Sequence, residues 1–234
     1  MTDTVFKLEQ PTAAIAGGTS RFPIRRVFCV GRNYAAHARE MGSDPTREAP
    51  FFFMKPADAV VAAEGTLPYP PLTGDLHHEI ELVVAVGGTG VNLTPEQARS
   101  LVWGYGVGVD LTRRDLQAEA KNSGRPWDWA KGFDASGPCS PLVPVQQTGW
   151  LETGRIWLKV NGELRQQGDL ADMIYNVAEV LSHISHSVAL RPGDLVFTGT
   201  PSGVAPLAPG DQVTAGVDGV AQISFHVGAR PKAV

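Results

Sequence analysis

Long apolar runs are missing from this sequence: none approaches the roughly 20 residues a helix needs to cross a bilayer, so no membrane span is expected. A basic surplus is missing too. Twenty Lys and Arg stand against 24 Asp and Glu, a formal net charge of -4. Aromatics are nowhere interleaved with Lys and Arg, so nucleic acid is not an expected partner. Cysteine is scarce, and Cys29 and Cys139 form no CxxC pattern. They read as buried, reduced thiols of a cytoplasmic protein. The N-terminal Met-Thr-Asp-Thr-Val-Phe-Lys has no basic segment followed by an apolar one, so no secretory signal is expected.

What the chain has in quantity is turn formers, 26 Gly and 18 Pro among 234 residues. Its apolar runs are short, which predicts a mainly β, α+β architecture with a few short helices. Strands are expected at Arg26–Val30, Phe51–Met54, Ile80–Val86, Tyr105–Val109, Leu195–Thr198 and Gln212–Ala215. Asn161-Gly162 lies between two strand-like segments and carries the dipeptide a type I′ hairpin turn prefers. Asn33 is expected to cap a helix from Tyr34 to Met41, and Thr112 with Asp115 to form a capping box for a helix through Lys121. Ile174, Val177, Leu181 and Ile184 recur at helical spacing. Residues 1–25 read as an N-terminal arm and 26–234 as one domain.

Carboxylates give the sharpest chemical signal. Alternation along a strand puts Glu79 and Glu81 on one face and Ile80, Leu82 and Val84 on the other. Two adjacent carboxylates repel and resist burial, and a divalent cation offsets both penalties. An edge strand with a polar face is the plain alternative. Further on, Gly104, Gly106 and Gly108 share a strand face that ends at Asp110, which suits a site floor carrying a third ligand. Close sheet packing against a helix is the alternative for the glycines taken singly. An all-oxygen set favours Mg²⁺ or Mn²⁺, with Ca²⁺ next. Zinc through His77 and His78 ranks below these, because neighbours on a strand point to opposite faces.

Groups for acid–base and anion work lie nearby in sequence. His37 and Glu40, three apart on a short helix, could pair as a water-activating base, or simply form an exposed i,i+3 pair. Arg114 and Gln117, also three apart, follow Asp110 and could hold a substrate carboxylate and carbonyl. Lys131 stands as a lone cation among aromatics, suited to an oxyanion, or else as a surface lysine between two aromatics. Thr200 sits in Thr198-Gly199-Thr200-Pro201-Ser202-Gly203, a loop with hydroxyls and backbone N–H groups for an anion. That loop lacks the Gly-Lys-Ser/Thr ending of a phosphate loop, so nucleotide binding is not supported.

Taken in order, several motifs resemble the fumarylacetoacetate hydrolase family, and within it the short acylpyruvase branch. They are Val30-Gly31-Arg32-Asn33-Tyr34 with His37 and Glu40, Phe53-Met54-Lys55-Pro56, His77-His78-Glu79-Ile80-Glu81-Leu82 and Gly108-Val109-Asp110. Arg114-Asp115-Leu116-Gln117, Lys131, Trp157 through Glu163, and Gly193-Asp194 through Pro201 complete the set. The resemblance implies a mixed β-roll domain, a homodimer, and Mg²⁺ or Mn²⁺ on Glu79, Glu81 and Asp110. It also implies that His37 and Glu40 lie on a lid that orders with substrate.

The implied reaction is hydrolysis of a 2-oxo acid, preferably fumarylpyruvate to fumarate and pyruvate as in gentisate breakdown. His37 is then the base and Lys131 the oxyanion stabiliser, with Arg114, Gln117, Thr200 and, more weakly, Arg32 orienting the substrate. Oxaloacetate decarboxylation, or decarboxylation or isomerisation of hydroxymuconate-type acids, is the competing activity. A purely structural metal module is a third reading, and the His37–Glu40 pair speaks against it.

Overall fold

A computed structural model describes residues 4–40 and 49–231 of the chain, without the side chains of residues 38–40. Its main strands are β1 (Arg26–Gly31), β2 (Phe51–Lys55), β3 (Ile80–Val86), β4 (Val102–Val109), β5 (Arg155–Val160), β6 (Glu163–Asp169), β7 (Asp194–Phe197), β8 (Gln212–Val217) and β9 (Ala221–Val227). Four helices matter below: α1 (Ala35–Glu40), α2 (Arg114–Asn122), α3 (Asp128–Lys131) and α4 (Val177–Ser187).

Two sheets carry the fold. The larger runs β2-β1-β7-β3-β4 and continues through the short strands Gly137–Cys139 and Val60–Ala62. Within it β7 lies parallel to β1 and antiparallel to β3. The second sheet runs β6-β5-β8-β9 and ends on Thr66–Leu67. This is the mainly β, mixed architecture that the turn-rich sequence predicts. Among the described residues no helix is long and apolar enough to cross a membrane.

Strand β3 explains how the layers hold together. It is an interior strand, not an edge, and all seven of its residues are buried. Ile80, Leu82, Val84 and Val86 enter a large core with Ile156, Leu158, Val213 and Phe225 from the second sheet and Leu181 and Ile184 from α4. Val83 and Ala85 face a smaller core with Phe22, Ile24, Val27, Cys29, Leu195 and Phe197. Each fully buried aliphatic side chain contributes roughly 1.5–3 kcal/mol, so packing on both faces fixes the register of β3. Its head, with Glu79 and Glu81, cannot slide.

Local readings meet the structure unevenly. Asn161 and Gly162 both have positive φ, 51° and 82°, as a type I′ turn requires. Helix α4 starts at Val177 after its cap Asn176, whose side chain and that of Glu179 each accept from the other's backbone N–H. Ile174 therefore lies before the helix. Asn33 does not cap α1 but bridges two loops: its Nδ2 donates to Tyr175 O and Thr198 O, and its Oδ1 accepts from Tyr175 N–H. The expected box at Thr112 and Asp115 is absent, because α2 begins at Arg114 without a side-chain cap. Asp115 instead accepts from Thr73 Oγ1 and Gly74 N–H. Part of the expected N-terminal arm is ordered: Thr12–Ala14 pairs with Arg21–Pro23, and Phe22 enters the smaller core.

Candidate active site

Glu79, Glu81 and Asp110 come from two places in the sequence and meet because β3 and β4 are antiparallel neighbours. Ile80 pairs with Val109 and Glu81 with Gly108, so the head of β3 abuts the end of β4. Asp110 N–H closes the corner on Glu79 O at 2.7 Å. One oxygen from each carboxylate lies within 4.8 Å of the other two, and all three side chains are buried.

The glycines beside them do something other than expected. A Cβ at Gly104 would meet Val143 O, at Gly106 the Leu142 side chain, and at Gly108 Phe197 and Val83. The bare face is needed for packing and does not form the site floor.

Cations surround the triad. Lys131 is not a lone cation: its Nζ donates to Glu79 Oε2 at 2.8 Å, Asp110 Oδ2 at 2.7 Å and Thr112 Oγ1 at 2.7 Å. Burial works against its charge, but Asp110 and Glu79 raise its pKa above the usual lysine value. Arg114 spans the site, with Nη2 on Glu79 Oε1 at 2.5 Å and Nη1 on Gln117 Oε1 at 2.6 Å. Burial alone would raise the Glu79 carboxyl, yet Lys131, Arg114 and His37 hold it well below the usual carboxylate range.

Lys55 enters the sequence reading only within the Phe53-Met54-Lys55-Pro56 motif, with no role of its own. It is fully buried, with Nζ 2.8 Å from Asp110 Oδ1 and donating to the carbonyls of Lys131 and Leu111.

Glu81 decides whether the site fits a cation. It accepts one hydrogen bond, from Gly199 N–H at 2.7 Å, and no cationic side chain of the described residues is ion-paired to it. Gly199 makes that bond from φ 98°, where an added Cβ would strike Asn33. Burial, then Asp110 and Glu79, push the Glu81 carboxyl well above its ordinary pKa. Three buried carboxylates, one of them without a positive partner, suit a hard divalent ion with oxygen ligands. The histidines take no part in the cluster. His77 Nε2 pairs with Asp75 at 2.9 Å and His78 Nδ1 with Gln166 Oε1 at 2.8 Å.

One cavity gathers the expected residues. His37, Arg32, Arg114, Gln117, Lys131 and Thr200 all line it with Glu79 and Glu81. His37 is buried on α1, immediately after β1. The side chain of Glu40 lies outside the described residues. A second residue that sequence reasoning missed is Gln166 on β6, fully buried. Its Nε2 donates to Thr200 Oγ1 and Pro201 O, each at 2.8 Å, and its Oε1 accepts from Ile80 N–H at 3.1 Å. Thr200 therefore accepts from the protein, which leaves its hydroxyl proton for an acceptor in the cavity. No pattern along β6 separates Gln166 from its exposed neighbours Arg165 and Gln167.

Known proteins share this arrangement of chain. Residues 26–228 match the family model described as fumarylacetoacetate (FAA) hydrolase C-terminal. The crystal structure of fumarylpyruvate hydrolase from Pseudomonas aeruginosa, in complex with Mn²⁺ and pyruvate, superposes with a TM-score of 0.95. It is 50% identical, over 97% of this chain and 100% of that one. Oxaloacetate tautomerase YcgM of Escherichia coli is 44% identical over 87% of this chain and 93% of its own. A fumarylpyruvate hydrolase of Ralstonia sp is 42% identical over 79% and 96%.

Proposed function

The chain belongs to the fumarylacetoacetate hydrolase family, and from that membership we propose that it hydrolyses the carbon–carbon bond of an acylpyruvate, with fumarylpyruvate as the substrate. The observation that carries this reading is a buried histidine, His37, facing the same cavity as Glu79 and Glu81 of the carboxylate cluster.

Glu79, Glu81 and Asp110 would hold Mg²⁺ or Mn²⁺, which supplies Lewis acidity towards the 2-oxo acid end of the substrate. Arg114, Gln117 and the Thr200 hydroxyl orient that end through its carboxylate and carbonyl oxygens. His37, steadied by Glu40, takes a proton from water as the water oxygen adds to the distal ketone. Lys131, held between Glu79 and Asp110, keeps positive charge beside the reacting oxygens. The bond to the methylene carbon then breaks. Its electron pair goes to the pyruvate half as the enolate, which takes up a proton on carbon. The acyl half leaves as a carboxylic acid carrying the water oxygen. The same reading carries a homodimer in the cytoplasm.

A second activity on this site is enolisation or decarboxylation of oxaloacetate, favoured by the 44% identity to the Escherichia coli tautomerase. Neither needs an attacking water. Side-by-side kcat/KM values separate the two: the protein should convert fumarylpyruvate far faster than oxaloacetate. His37→Ala should lower kcat on fumarylpyruvate by about 10²–10⁴-fold and leave cation affinity unchanged. Faster oxaloacetate turnover that survives His37→Ala would make the second activity the main one.

A further inference from the structure

The cavity has two positively charged ends. At one end Arg114 is tied to Glu79. The other is reached along α2, where Arg114, Gln117 and Lys121 follow one another at helical spacing and all line the cavity. A rise of about 1.5 Å per residue puts the Lys121 backbone roughly 10 Å beyond that of Arg114. Arg32, at the end of β1, lines the same cavity. Neither Lys121 nor Arg32 has a carboxylate at ion-pairing distance among the described residues.

Their surroundings sharpen the point. Lys121 Nζ stands over the Trp127 ring at 5.2 Å. Trp127 packs against Phe53 at 5.8 Å and against Phe51 at 4.9 Å. Trp127 and Phe53 thus form an apolar wall of the cavity between Lys121 and Lys131, whose Nζ lies 4.9 Å from the Phe53 ring. Arg32 adopts φ 59°, a left-handed conformation that opposes a Cβ-bearing residue and clusters at functional sites. Burial, and next the charge of Arg32, lower the Lys121 pKa. Lys121 is half-buried and Arg32 exposed at this end of the cavity, and among the described residues neither is ion-paired.

We propose that Lys121 and Arg32 form a second anion clamp, which holds a carboxylate at the far end of the acyl chain and selects dicarboxylate acylpyruvates over neutral ones. The aromatic wall between the clamps suits a flat, unsaturated acyl chain. The proposal rests on the acylpyruvase reading of the site, but its test does not need turnover.

Calorimetric titration of the Mn²⁺-supplemented protein with 2-oxoheptanedioate and 2-oxoheptanoate compares equal chains that differ in the terminal carboxylate. The diacid should bind tighter by roughly 10- to 100-fold, the range of a hydrogen bond to a charged group. Lys121→Gln and Arg32→Gln should each remove most of that preference, and Lys121→Gln should change monoacid affinity by less than about twofold. Lys121→Arg should keep the preference. Equal wild-type affinity for both acids, or equal weakening of both in Lys121→Gln, would overturn the clamp. A diacid preference in a protein that releases no pyruvate from any acylpyruvate would leave the clamp standing and remove the hydrolase reading. Pyruvate release without a diacid preference would do the reverse.

Discussion

At Lys55 the usual burial order of a strand is inverted: Phe51 and Met54 are 45% and 46% exposed while the lysine is 2% exposed. Desolvating an ammonium is tolerable only beside a carboxylate, and Asp110 provides it. Lys55→Met should lower the unfolding free energy of the metal-free protein by about 1–3 kcal/mol, the cost of a buried acceptor left without its partner, because Lys131 still pairs Asp110 through Oδ2. Urea denaturation measures it, and a loss below 1 kcal/mol would mean that Asp110 is satisfied without Lys55. The carboxylates were legible in the sequence because strand alternation is a local rule that places Glu79 beside Glu81. Lys55 and Gln166 were not, since what makes them matter is a partner far along the chain. Lys131 fell between the two: its position was readable, but its three hydrogen bonds to Glu79, Asp110 and Thr112 were not.

Among elements, the readable ones owe their form to neighbours in sequence. The Asn161-Gly162 hairpin and the spacing of α4 are examples. The cap expected for α2 failed because Asp115 was drawn to the loop at Thr73 and Gly74, a contact no local pattern encodes. A similar long-range tie joins the head of β3 to β6. Gln166 Oε1 accepts from Ile80 N–H, so the His78 nitrogen facing it, Nδ1, carries the proton. Burial pushes the His78 imidazole down to about 4, against about 6.5 in an unfolded chain. Between these values the unfolded chain binds more protons, so stability is present above the window and is lost as the pH falls through it. Going from pH 7 to pH 5 should cost about 2 kcal/mol through this residue. His78→Asn, which cannot titrate, should show a correspondingly smaller difference between urea midpoints at the two pH values. An equal acid loss in both proteins would remove His78 as the cause.

For the whole molecule, the fold class was predictable from turn density and short apolar runs, whereas the order of strands in the larger sheet was not. That order encloses the triad, and it gives a global readout of cation binding. An ion at about 100 times its Kd should raise stability by about 2.7 kcal/mol, seen as a higher melting temperature with Mn²⁺ or Mg²⁺ and its reversal by chelator. Glu81→Gln should abolish the shift without destabilising the metal-free protein, because the substitution removes a buried carboxylate that lacks an ion pair. A shift retained in that variant would move the ion elsewhere.

The same strand order bears on how the chain assembles as it leaves the ribosome. β7 inserts between β1 and β3, and Arg26 joins Asp194 across 168 positions of sequence. Until residues 194–197 emerge, the β1–β2 and β3–β4 hairpins each present an open edge, the kind of surface on which chains aggregate. Loop closure over such a separation slows folding. Synthesis of most of the chain must therefore precede closure of the larger sheet, and a nascent chain halted before Asp194 is a species for chaperones to guard.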